Sequence, residues 1–141
     1  FRPAAASRRA SAPGFCWTSP PPGTLLVSSD AAVSAESDSS AVGVVVQNHS
    51  GQCVAAASEP LPGVSSPEVA EALALRRAVL LAGQENYARV IFQSDCLSMV
   101  QRLQSSIRDR SMVGSIIADI KMACRALSRS LLCMFVGIVM F

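Results

Sequence analysis

The sequence is short of lysine, short of charge, and without the motifs that most readily assign a chain to a class. Lys121 is the single lysine among 12 basic residues. The arginines favour bidentate contacts, such as those to phosphate, over diffuse attraction. Charged residues make up 16% of the chain and the net charge is +2, while half the residues are apolar. That balance excludes a disordered chain and says little about partners. There is no GxxxxGK phosphate loop, no internal repeat and no heptad run, which argues against a P-loop nucleotide site, a solenoid and a coiled coil. Cys16, Cys53, Cys96, Cys124 and Cys133 form no CxxC pair and have no histidine pattern beside them, which argues against zinc. Such a scattered, odd set fits reduced thiols in an intracellular protein, nuclear or cytoplasmic. The apolar run 131–141 (LLCMFVGIVMF) is well short of the roughly 20 residues that span a bilayer. It reads as a buried strand with a hydrophobic tail, and no membrane partner is expected.

What is present fits one α/β domain, since 141 residues can bury one respectable core but not two. Residues 1–23 carry five of the prolines and open on FRPAAASRRASAP. They read as a disordered leader, with a transit-peptide remnant or a linker as the alternatives. The domain is expected over 24–141. Residues 24–33 (TLLVSSDAAV), 41–47 (AVGVVVQ) and 52–58 (QCVAAAS) read as three antiparallel strands, the last two joined by the turn Asn48-His49-Ser50-Gly51. A two-proline loop over 60–66 leads to a helix over 66–82 (SPEVAEALALRRAVLLA), with Ser66 as cap, Pro67 at the first helical position and Gly83 as its stop. A fourth strand follows at 88–94 (ARVIFQS). Helices are expected at 96–104 and 112–127, then a fifth strand from Leu131. Helix crossovers between strands imply a partly parallel sheet with helices packed on it.

The helix over 66–82 is apolar nearly all round, with Arg76 and Arg77 as its wet residues, so it is expected to be covered on both faces. Glu71 nevertheless stands on its small-residue side, where an unpaired charge is costly and calls for a cation, a metal or strong donors. Asp30 lies inside a strand and Asp95 at the end of another, where it can cap the following helix. If the first and fourth strands are neighbours and the helix crosses them, Asp30, Glu71 and Asp95 converge. Carboxylates held close repel one another, and divalent cations with hard oxygen ligands relieve that repulsion. Glu68 is the competing helix acid, but it lies one turn earlier and nearer solvent.

These features coincide with a family. PPPGTLLVSSDAAV (20–33), AVGVVVQNHSGQCVAAAS (41–58), VAEALALRRAVLLA (69–82) and VIFQSDCLSMV (90–100), with a weaker match through 116–126, resemble the plant reverse-transcriptase-like branch of the ribonuclease H superfamily. The resemblance implies a ribonuclease H-like α/β fold, a five-stranded mixed sheet of order 3-2-1-4-5 flanked by helices. It also implies that Asp30, Glu71 and Asp95 are catalytic metal ligands for two Mg²⁺ ions, with Mn²⁺ as substitute. The implied activity is cleavage of the RNA strand of an RNA–DNA hybrid, and the implied partner is nucleic acid, bound by a monomer. Family members continue beyond the fifth strand into a basic segment carrying a fourth metal-binding Asp or His. No acid follows Asp119 here, so the domain is expected to lack that segment. Asp119 itself reads as a helix-surface residue.

The rival expectation is a nucleic-acid-binding module of the same fold without chemistry. A truncated product with an uncovered apolar tail is a third. His49 reads as a solvated turn residue, Trp17 as packing the leader onto the sheet, and Arg76, Arg77, Arg102, Arg108 and Arg110 as a solvated face able to meet phosphates.

Overall fold

The computed structural model describes residues 20–34, 36–127 and 132–137. The expectations for the leader over 1–19, including Trp17, and for the tail over 138–141 lie outside the described residues. The elements run β1 (Leu25–Ser34), β2 (Ser39–Gln47), β3 (Cys53–Pro62), α1 (Pro67–Gln84), β4 (Arg89–Ser94), α2 (Leu97–Gln104), α3 (Gly114–Leu127) and β5 (Leu132–Gly137).

Strands β1 to β3 form the expected antiparallel meander, and β4 joins β1 in parallel on its other side. The expected α/β class, the mixed sheet and the order 3-2-1-4 hold. The backbone of β5 lies parallel to β4. Every second residue of β2, Ser40, Val42, Val44 and Val46, is buried, as the two-residue period of a strand with one covered face requires. On that covered side Val27, Val44, Val46, Val90 and Phe92 meet Leu75, Ala78, Val79 and Ala82 of α1 and Ile117 and Ile120 of α3. The alanines let the α1 backbone approach the sheet closely. Burying each large apolar side chain contributes about 1.5–3 kcal/mol.

Three local expectations change. Residues 60–62 continue β3 instead of forming a loop, because β3 is the edge of the sheet and an edge strand tolerates prolines whose missing N–H would face solvent. Helix α1 does not stop at Gly83. It runs to Gln84, and Asn86 takes the left-handed conformation at φ +54°. The Asn86 N–H donates to the Gly83 carbonyl at 3.3 Å and the Tyr87 N–H to the Ala82 carbonyl at 3.2 Å, the paired bonds of a Schellman ending. Helix α1 is also not covered all round: Leu80 is 46% exposed, and with Leu73 and Arg77 it lines an open groove of about 1060 Å³ against Ala57 and Glu59 of β3. The start of α1 is as expected, with Ser66 Oγ accepting the Val69 N–H at 3.4 Å and proline in the first turn.

Candidate metal centre

Strands β1 and β4 pair from Leu25↔Val90 to Ser29↔Ser94. The next residue on each strand is an acid. Parallel pairing in this register therefore brings Asp30 beside Asp95 at the point where β4 ends. Strand β1 goes on alone with β2, and the cross-strand partner of Asp30 is Gly43, which places no side chain next to it.

Helix α1 crosses over this point and supplies the third acid. One carboxylate oxygen from each of Asp30, Glu71 and Asp95 lies within 4.8 Å of the others, an arrangement that could hold a metal ion. Asp30 and Asp95 are exposed and Glu71 is half-buried. The Ala31 N–H, past the last β1–β4 rung, is donated to Asp30 Oδ1 at 2.9 Å, and the same amide favours the charged form of the Glu71 carboxylate. Nothing in the sequence pattern marks Ala31, since its amide is free for the carboxylates only because β4 ends first.

Burial pushes the Glu71 carboxyl up to about 7, and the charges of Asp95 and Asp30 push in the same direction against the Ala31 hydrogen bond. Its Oε2 is buried with no hydrogen-bond partner. A half-buried carboxylate facing two others, with one oxygen unsatisfied, is the environment that a hard divalent cation corrects: it supplies the missing partner and neutralises the repulsion.

The remaining candidates are placed elsewhere. Glu68 is ion-paired with Arg102 and stays out of the cluster. Asp119 is exposed on α3 and faces Arg76 at 3.6 Å, while Arg77 faces Glu59 at 3.2 Å. His49 is exposed in its turn. Asp95 does not cap α2. Cys96 occupies that position without a side-chain cap bond, and Ser94 Oγ accepts the Cys96 N–H at 3.1 Å, while the Asp95 carboxylate joins the cluster.

The family described as reverse transcriptase-like matches residues 28–132, a span that contains all three acids. The chain belongs to this family. No curated protein matches the sequence. Among solved structures, RNase H1 of Halobacterium salinarum is similar with a TM-score of 0.65 and 17% identity, over 81% of this chain and 84% of that one. The N-terminal RNase H domain of a Mycobacterium tuberculosis protein is similar with a TM-score of 0.63 and 14% identity, over 81% and 82%. LC11-RNase H1, in a complex with an RNA/DNA hybrid, gives 0.65 and 18%, over 80% and 85%. This reverse transcriptase-like chain therefore has the ribonuclease H-like fold. Among its described residues, no helix is long and apolar enough to cross a membrane.

Proposed function

We propose that residues 24–141 are a ribonuclease H-type domain that binds nucleic acid as a monomer and hydrolyses the RNA strand of RNA–DNA hybrids, with residues 1–23 as a leader and β5 completing its five-stranded sheet. The observation that carries this reading is the convergence of one carboxylate oxygen from each of Asp30, Glu71 and Asp95 within 4.8 Å, together with a buried Glu71 Oε2 that lacks a hydrogen-bond partner. The family membership and the hybrid-bound structural relative support it. Asp30, Glu71 and Asp95 would hold the divalent ions, Mg²⁺ or Mn²⁺. A pair of such ions supplies water activation and stabilisation of the leaving oxygen of a phosphodiester.

The chain's own residues have separate parts in this. Asp30 and Asp95, both exposed, present charge to a ligand arriving from solvent. Glu71 sits behind them, where burial and the neighbouring charges raise its carboxyl, and a bound cation would favour its charged form. The Ala31 amide orients Asp30. Hybrid recognition in such a domain rests on shape and 2′-hydroxyl contacts more than on base reading.

The deciding experiment is a gel assay on a labelled RNA–DNA hybrid with Mg²⁺, Mn²⁺ or chelator. Metal-dependent cleavage of the RNA strand that is lost in Asp30→Asn and Glu71→Gln is the expected result, and cleavage that survives either change refutes the assignment. A second reading, a nucleic-acid-binding module without chemistry, is favoured by the cluster's holding three carboxylates and no fourth among the described residues. It predicts hybrid binding in a mobility-shift assay with no product in any metal.

A further inference from the structure

We propose that Arg102 is a positioning residue for the acidic cluster, acting as a clamp that holds the helix bearing Glu71 against the segment bearing Asp95. This rests on the reading of the cluster as a metal site.

Helix α1 packs on β1, β2, β4 and α3, whereas α2 packs on β5 and α3. The Arg102–Glu68 ion pair is a direct polar tie between the two. Glu68 stands in the first turn of α1, three residues before Glu71. Arg102 stands in the last turn of α2, the helix that starts two residues after Asp95. Any sliding of α2 along α1 changes the separation of the Glu71 and Asp95 carboxylates, and their mutual repulsion favours such sliding.

The guanidinium is itself fixed from a second side. Arg102 Nε faces Asp109 Oδ2 at 3.5 Å, and Asp109 Oδ1 accepts the Ser111 N–H at 2.8 Å. The Asp109 main-chain carbonyl lies against Gly114, the first residue of α3, so closely that a Cβ there would stand 2.3 Å from the oxygen. Arg102 therefore spans two carboxylates with its planar fork, the geometry in which arginine loses least freedom per contact. An isolated surface pair contributes little. Here the side chains are 32% and 40% exposed, and the contacts join α1, α2 and the segment between α2 and α3, so their effect is on the placement of α1 relative to α2.

The test uses the full chain with Mn²⁺ as probe, bound Mn²⁺ being read by electron paramagnetic resonance. Hydrogen exchange of the Val69 to Glu71 amides is followed in the metal-free protein. Arg102→Met is expected to weaken Mn²⁺ binding about tenfold, the scale found for groups that orient metal ligands, and to speed exchange in the first turn of α1. Glu68→Gln should do the same, the double variant should be no worse than either single one, and Arg102→Lys should recover part of the affinity. Arg77→Met, which breaks an ion pair to Glu59 on the other side of α1, should leave Mn²⁺ binding unchanged. Mn²⁺ affinity and exchange in Arg102→Met equal to those of the unsubstituted chain would overturn the clamp alone. Failure of the unsubstituted chain to bind Mn²⁺ would overturn the metal reading and the clamp's role with it.

Discussion

Asp30 and Asp95 stand one residue beyond the same rung, Ser29↔Ser94, of the parallel β1–β4 ladder. Neither acid's neighbours in sequence require this. It follows from the crossover through α1, which returns the chain to the sheet beside β1 and in the same direction, as right-handed crossovers do. The same crossover carries Glu71 over the end of that ladder, so one topological event brings all three carboxylates together.

Replacing any one of the three should remove hybrid cleavage without removing the fold. Asp30→Asn, Glu71→Gln and Asp95→Asn are each expected to lower the cleavage rate about a hundredfold or more, since each deletes charge that would hold the metal ions. Thermal melting should show unchanged or slightly raised stability, because the metal-free site loses a repulsion.

The pH dependence of the metal-free protein should carry the mark of Glu71. Its carboxyl is raised from 4.5 to about 7, so the folded state binds the proton more tightly than the unfolded one. That contribution is fully present below about pH 4.5 and is lost as pH rises through about 7. After allowance for solvent screening it amounts to about 1–2 kcal/mol. Chemical denaturation from pH 4.5 to 8 should show this decline in the unsubstituted chain. A decline of equal size in Glu71→Gln would assign it elsewhere.

Divalent metal should reverse that loss. Mg²⁺ or Mn²⁺ binding to the folded state stabilises it by mass action, by about 2.7 kcal/mol at a hundredfold excess over the dissociation constant, and so raises the melting temperature. The increase should be larger at pH 8 than at pH 5.5, where Glu71 holds its proton, and chelator should abolish it. A melting temperature indifferent to millimolar metal at pH 8 counts against the site.

Gly114 should resist substitution for a reason unconnected with chemistry. A Cβ there would lie 2.3 Å from the Asp109 carbonyl oxygen, a backbone atom that cannot swing aside. Gly114→Ala is expected to cost about 1–3 kcal/mol, measured by urea denaturation, even though alanine is the better helix former.

Much of this fold was legible in the sequence because its signals are local. Alternation in 41–47, the Asn48–Gly51 turn, Ser66-Pro67 ahead of an apolar run and the β-branched 88–94 stretch each depend on a few adjacent residues, and each element formed near its expected place. The ends were less legible. Gly83 carried the expected stop, yet Asn86 made it, since the helix ends where Ala82 and Gly83 find partners for their carbonyls. Prolines at 60 and 62 suggested a loop until β3 proved to be an edge.

The sequence by itself determined the α/β order of elements and singled out Asp30, Glu71 and Asp95, because an acid inside a strand or on a helix's small-residue side is costly and so conspicuous. Only the tertiary structure decided that the three meet, that Glu68 is drawn away by Arg102, that Asp95 faces the cluster instead of capping α2, and that the Ala31 amide serves two of the carboxylates. The meeting of Asp30 with Asp95 and the freedom of the Ala31 amide depend on strand register and on where β4 stops relative to β1. Both are relationships between residues some 65 positions apart, beyond the reach of any local period or cap.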